Sequence, residues 1–267
     1  MSQAGADRPS RGTSIVTIGT YDGVHLGHQR LIAEALTEAR DVGLPVVVVT
    51  FDRLPAEVLH PSATLKLLTG LEHRLELLEA TKVDALRVLH FDLERAAESA
   101  ESFIEGYVVG ELGAASIYVG ANFRFGNKAM GDIELLERLA PRFGYSAHGV
   151  ELLLDETTNR VVSSSQIREF VAAGELSEAA RLLGRPHEVR GSLVPDRRGV
   201  VVPGAFALPP AGRYVVEVGA PREPGVKSTA RLLAVGGSAA EVLLSVDKLE
   251  GPLADARPGS AIAVRFS

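Results

Sequence analysis

The sequence predicts an α/β fold: a Rossmann-like domain with a parallel sheet, followed by a small antiparallel β-barrel. Three observations carry this. Strand-like and helix-like patterns alternate through roughly the first 185 residues, which gives a parallel sheet with helices on both faces. The runs that open this part and stand fourth in it end in glycine, as buried strands do where the chain turns toward a ligand. After Gly184-Arg185-Pro186, proline and glycine become dense and helical periodicity disappears, leaving only short β-like stretches.

Ser14 to Gly19 is the first strand, a β-branched run closed by glycine. From Leu26 to Arg40, Leu31, Ile32, Ala35, Leu36 and Ala39 recur at helical spacing. Leu44-Pro45 opens a second strand, Val46 to Phe51. Leu71 to Ala80 is helical, with Leu71, Leu75 and Leu78 on one face. Leu86 to Phe91 is the third strand, Glu101 to Leu112 a helix, and Ser116 to Gly120 the fourth strand. Ile133 to Phe143 is helical and Ala147 to Leu154 the fifth strand. The β-like stretches that follow are 188–194, 213–218, 229–235, 241–246 and 261–266. The predicted partition is a polar lead-in at 1–12, an α/β domain at 13–186 and a barrel at 187–267.

Composition narrows the function. The chain is 46% hydrophobic with a net charge of -6, which argues against a general nucleic-acid binder, because phosphate contacts require a basic face. No run approaches the roughly 18 apolar residues of a membrane span, and residues 1–12 lack the apolar core of a secretory signal. Without cysteine there is no disulfide, thiolate chemistry or Cys-based metal site, which fits a cytoplasmic protein. An oligomer is compatible with all of this.

Chemistry concentrates in three segments. Thr20-Tyr21-Asp22-Gly23-Val24-His25-Leu26-Gly27-His28 follows the first strand and opens a helix. Gly23 and Gly27 let backbone approach a ligand, and a helix N-terminus offers free N–H groups and a positive dipole end to phosphate. His25 and His28 can donate hydrogen bonds to a triphosphate and stabilise charge developing on its α-phosphate. Two ordinary surface histidines would not need to be bracketed by glycines after a strand. In Ser163-Ser164-Ser165-Gln166-Ile167-Arg168 the serines are good helix N-caps; their hydroxyls and N–H groups also suit phosphate, with Arg168 as the cation. Gly120-Ala121-Asn122-Phe123-Arg124-Phe125-Gly126 can hold a flat ring, or its phenylalanines can plug the core.

In this order and spacing, these segments resemble the bacterial bifunctional riboflavin kinase/FMN adenylyltransferase (FAD synthetase) family. The motifs are Gly19 to His28, Phe51 to Pro55, Gly120 to Gly126, Ser163 to Arg168 and Leu183 to Pro186, covering about 170 residues. The resemblance implies a Rossmann-like nucleotidyltransferase that moves AMP from ATP to the phosphate of FMN, giving FAD and pyrophosphate, with Mg²⁺ neutralising charge. It implies His25, His28 and Arg168 as catalytic, and Gly19, Thr20, Tyr21, Asp22, Gly23, Gly27, Ser163, Ser164 and Ser165 as nucleotide-binding. Phe51, Asn122, Phe123 and Phe125 fall on the flavin side. No metal-ligating residue is identified.

Three departures qualify the likeness, the first being Thr20-Tyr21 where the family usually has Asn-Phe. Asp52-Arg53-Leu54-Pro55 stands where the family has x-Pro-His-Pro over the active site. In the barrel, Pro203-Gly204-Ala205-Phe206 stands where the kinase has Pro-Thr-Ala-Asn; Gly204 has no hydroxyl and Phe206 cannot ligate a metal. The expectation is an inactive kinase-like barrel. The alternatives are a nucleotidyltransferase with another phosphate acceptor or CTP, and a non-catalytic flavin or nucleotide sensor.

Overall fold

The structure, a computed structural model, describes residues 12–62, 65–196, 199–233, 241–246 and 256–266. Most of the 1–12 segment therefore lies outside the described residues. By packing, the described residues gather into two units, one made of 12–21, 27–62 and 75–153, the other of 22–26, 65–74 and those described from 154 onward. The segment Asp22–Leu26 thus packs with the second unit although its chain neighbours on both sides belong to the first.

The first unit is built on five strands: β1 (Ser14–Ile18), β2 (Val46–Phe51), β3 (Ala85–Leu89), β4 (Ala114–Gly120) and β5 (Ser146–Val150). They pair in parallel in the order β3-β2-β1-β4-β5, so the order reverses between β1 and β4. Every residue of β1 and β2 is buried, as expected of central strands covered on both faces, whose side chains read as an unbroken apolar run. Its helices are α1 (Leu26–Val42), α2 (Pro55–Leu59), α4 (Leu93–Ala97), α5 (Ala100–Ser102) and, after β4, α6 (Ile133–Phe143); of α3 (Leu71–Glu79), the first turn to Arg74 belongs to the second unit and the rest to this one. Asp132 caps α6 by accepting from the Leu135 amide, and left-handed Gly144 ends it. Leu136 of α6 packs with Val16, Ile18, Ile104, Val108, Ile117 and Val119 in the unit's core.

The second unit holds α7 (Ser164–Ala173), α8 (Leu176–Leu183) and six strands: β6 (His187–Leu193), β7 (Gly199–Pro203), β8 (Gly212–Gly219), β9 (Val226–Leu233), β10 (Glu241–Val246) and β11 (Ala261–Phe266). All pair antiparallel and close a barrel in the order β10-β7-β6-β11-β8-β9. Val189, Val200, Val202, Val216, Ile262 and Phe266 fill it. Gly191 lets β6 and β7 close up: a Cβ there would lie 2.1 Å from the Val201 carbonyl oxygen. Among the described residues, no helix is long and apolar enough to cross a membrane.

Three sequence expectations need correction. Among the described residues the barrel has six strands where the sequence predicts five; β7 escapes the pattern because Gly199-Val-Val-Val-Pro203 is short and bounded by residues that read as loop. The helix expected over Glu101–Leu112 is α5 followed by a π-helical stretch, Phe103–Glu111, whose wider turn shows in the bond from the Leu112 amide to the Tyr107 carbonyl. The fifth strand stops at Val150, so Ser163 follows a single Leu154–Val161 bridge rather than a strand.

Candidate functional site

In the first unit, β1 ends beneath Tyr21. The Tyr21 ring is buried; its hydroxyl shares a 2.6 Å hydrogen bond with Thr17, and burial pushes the phenol well above its ordinary pKa. Gly19 makes room for that ring, since a Cβ would lie 3.1 Å from it. The His28 ring meets Tyr21 edge to face, with centroids 5.1 Å apart, so a rigid aromatic wall fixes its direction. Thr50 donates to the Thr20 carbonyl at 3.2 Å, tying β2 to the same turn. Gly27 lies in the first turn of α1.

The four residues expected on the flavin side divide. Phe51 and Phe125 are buried in the core, against Phe91 and Phe103 respectively. Asn122 is exposed, and half-buried Phe123 stacks on Phe125 with centroids 5.4 Å apart. Of the four, only Asn122 and Phe123 reach the surface. Gly126, at φ +70°, closes the loop against Ala100, with no room for a Cβ. At the altered segment after β2, the Asp52 carboxylate accepts from His90 Nδ1 and the amides of Arg53 and Phe91.

In the second unit, the turn Asp22–His25 is strained and held from several sides. Gly23 has φ +82° and Val24 φ +39°, the latter rare for a β-branched residue and a mark of a backbone the surroundings over-determine. The Asp22 carboxylate, 1% exposed, accepts from the Leu68 and Thr69 amides and from Arg168 Nη2 at 2.6 Å. Thr69 Oγ1 accepts from the Gly23 amide at 3.0 Å. Arg168 Nε donates to the Lys66 carbonyl at 2.6 Å, so Nε and Nη2 are both engaged in holding the side chain's direction. From the end of α8, Arg185 Nη2 donates to the Gly23 carbonyl at 2.6 Å and Nη1 to those of Leu183 and Val24.

His25 is buried within this frame. Burial, reinforced by the charges of Arg185 and Arg168, lowers its pKa to about 4, so the imidazole is neutral at pH 7 and donates from one nitrogen. The positive charge of the turn therefore comes from arginines. Burial likewise lowers Arg185 to about 10, still charged at pH 7.

The serines are spent differently from one another. Ser163 is the N-cap of α7, accepting from the Gln166 amide at 3.3 Å. Ser164 donates to the Asp22 carbonyl at 2.8 Å, and Ser165 is exposed in the first turn. Sequence reasoning missed Thr69 and Arg185. Both act on the turn through bonds spanning 46 and 162 residues of chain, which no local pattern signals.

A parallel sheet reversing between β1 and β4 makes this an open α/β protein whose turn after β1 lies at the topological switch point, where ligands of such sheets bind. The FAD synthetase family model matches residues 7–166, and the chain belongs to that family. A bifunctional riboflavin kinase/FMN adenylyltransferase of Listeria monocytogenes is 32% identical over 217 residues, 76% of this chain and 67% of that one. Those of Haemophilus influenzae and Buchnera aphidicola are 32% and 30% identical, over 71% and 68% of this chain. The chain spans only 60% and 58% of these two relatives. A crystal structure titled macrolide-efflux protein, from Streptococcus pneumoniae, superposes with TM-score 0.79 at 26% identity, over 96% of this chain and 85% of that one.

Proposed function

We propose that the protein is an FMN adenylyltransferase: the phosphate of FMN attacks the α-phosphorus of ATP, the bond to the β-phosphate oxygen breaks, and FAD and pyrophosphate leave. The observation that carries this reading is the Asp22–His25 turn. It is a strained backbone fixed by Asp22, Arg168 and Arg185 around a neutral, buried His25, in a chain of the FAD synthetase family. FMN brings its own nucleophile, so catalysis is positioning plus stabilisation of charge. His25 donates a neutral hydrogen bond, His28 a second one from its place against Tyr21, and Arg168 with Arg185 provides the cationic field for the phosphates. Ser165 and the first amides of α7 offer further donors to phosphate. Asp22 serves the nucleotide indirectly, by aiming Arg168. Asn122 and Phe123 meet the flavin, and Phe51 and Phe125 support them from within.

Among the described residues, no group of three His, Asp or Glu side chains could hold a metal ion. In this reading Mg²⁺ would arrive with the triphosphate and neutralise its charge, as it commonly does when bound through substrate phosphates. The kinase reaction is absent in this account, because Gly204 and Phe206 replace the residues it needs. The reading is of a cytoplasmic enzyme, which the cysteine-free sequence supports.

The test is a substrate matrix, ATP or CTP against FMN or riboflavin, with pyrophosphate release and flavin products measured. FAD from ATP plus FMN alone is the expected result. Pyrophosphate from CTP, or from ATP with another phosphate ester but not FMN, would transfer the reading to a different nucleotidyltransferase, which the altered Asp52–Pro55 segment favours as second choice.

A further inference from the structure

The segment Lys66–Thr69 lies between two parts of the second unit and bonds to both. As in an extended strand, successive peptide groups face opposite ways. Leu67 faces the barrel loop that follows β7: its amide donates to the Ala205 carbonyl and its carbonyl accepts from the Ala207 amide, both at 2.8 Å, a parallel bridge centred on Phe206. The Lys66 carbonyl and the Leu68 and Thr69 amides face the other way, to Arg168 and Asp22.

Side chains lock the barrel end of this link. The Lys66 ammonium donates to the Gly204 carbonyl. The Phe206 ring packs on the barrel core and against Gly70, where even a Cβ would lie 3.2 Å from the ring. Phe206 occupies the position at which the family's kinase carries an asparagine. The substitution that removes a metal ligand thus supplies an apolar anchor.

Building on the proposed adenylyltransferase reading, we infer that Phe206 is a positioning residue for ATP. Through Lys66–Thr69, the barrel holds Asp22 and Arg168 in place, and its present role is to support the nucleotide turn. Removing the ring loosens the Leu67 bridge, frees the Leu68 and Thr69 amides, and lets the Asp22–Arg168 pair drift from its phosphate-binding direction.

The experiment compares the full chain with Phe206→Ala, Phe206→Leu and Lys66→Met by native-state hydrogen exchange and by steady-state kinetics with ATP varied. In Phe206→Ala, exchange at Leu68 and Thr69 should quicken about tenfold or more, while Val216 and Val264 in the barrel keep their protection. The KM for ATP should rise about tenfold with kcat changed less than about twofold, a split that general destabilisation does not produce. Phe206→Leu should restore most of both, and Lys66→Met should show the same pattern more weakly should Phe206→Ala fail to fold. Unchanged exchange at Leu68 and Thr69, or faster exchange with an unchanged KM, would overturn the inference. If the unaltered chain makes no FAD, the functional reading fails separately; ATP affinity measured by calorimetry then replaces KM, and the same exchange result decides the link.

Discussion

The two units hold themselves together by different means. In the first, β1, β2 and the buried face of α6 form an apolar core, with Ile18, Val49, Ile117 and Leu136 essentially inaccessible. In the second, the barrel interior is equally apolar, but the turn and the elements around it depend on buried polar and charged groups. Asp22, His25, Thr69, His73, Arg74 and His187 are all buried there. Glu188, for example, accepts from Arg190 and Arg265 at 2.7 Å each. Hydrophobic burial is non-directional, whereas a buried, hydrogen-bonded ion pair fixes direction and is costly to break by removing one partner. The proposed phosphate site draws on the second kind of interaction, through Asp22, Arg168 and Arg185.

That contrast can be broken by substitution. Asp22→Ala leaves Arg168 without its partner and the Leu68 and Thr69 amides without an acceptor, and should destabilise the protein by about 3–5 kcal/mol in urea unfolding while raising the KM for ATP. Leu136→Ala should cost about 2–5 kcal/mol through the cavity it leaves, yet below the unfolding transition its KM for ATP should stay at the wild-type value. Equal effects of the two on KM would remove the distinction between the units.

Gly23→Ala tests the strain in the turn. At φ +82° a Cβ is disfavoured, and it would also lie 2.8 Å from Leu68 Cδ1, so a loss of about 1–3 kcal/mol is expected by thermal unfolding. Acid sharpens the comparison with a smaller effect. His25 and His187 are held neutral by burial, their pKa values below the unfolded value near 6.5. Between those values the unfolded chain binds more protons than the folded one, so this stability is complete above about pH 6.5 and is lost as pH falls toward about 4. A Tm measured from pH 7 to 4 should decline, and His25→Asn should flatten part of the decline. A profile that His25→Asn leaves unaltered would contradict the burial-driven shift.

Much of the fold was legible because its signals are local. The strand Val46–Phe51 and the helix Ile133–Phe143 have the predicted bounds, since an unbroken β-branched run and a capped apolar stripe need no tertiary information. The π-helical stretch was not legible: Gly106 and Gly110 leave its apolar pattern compatible with an ordinary helix. The Gly23 and Gly126 turns were legible as glycines, but not the buried state of Asp22, nor the core positions of Phe51 and Phe125. Those depend on which distant residues arrive beside them. Arg185 stood in a recognised motif, yet its grip on Gly23 and Val24 is visible only once α8 is folded beside the turn.

The most direct test of the central claim is FAD formation from ATP and FMN by the full chain, compared with His28→Ala. FAD accumulating with one pyrophosphate per turnover, and kcat falling about 10²–10³-fold in the variant with FMN binding retained, is the predicted result. Equal rates in the two proteins, or no FAD from a chain that binds both substrates, would contradict it.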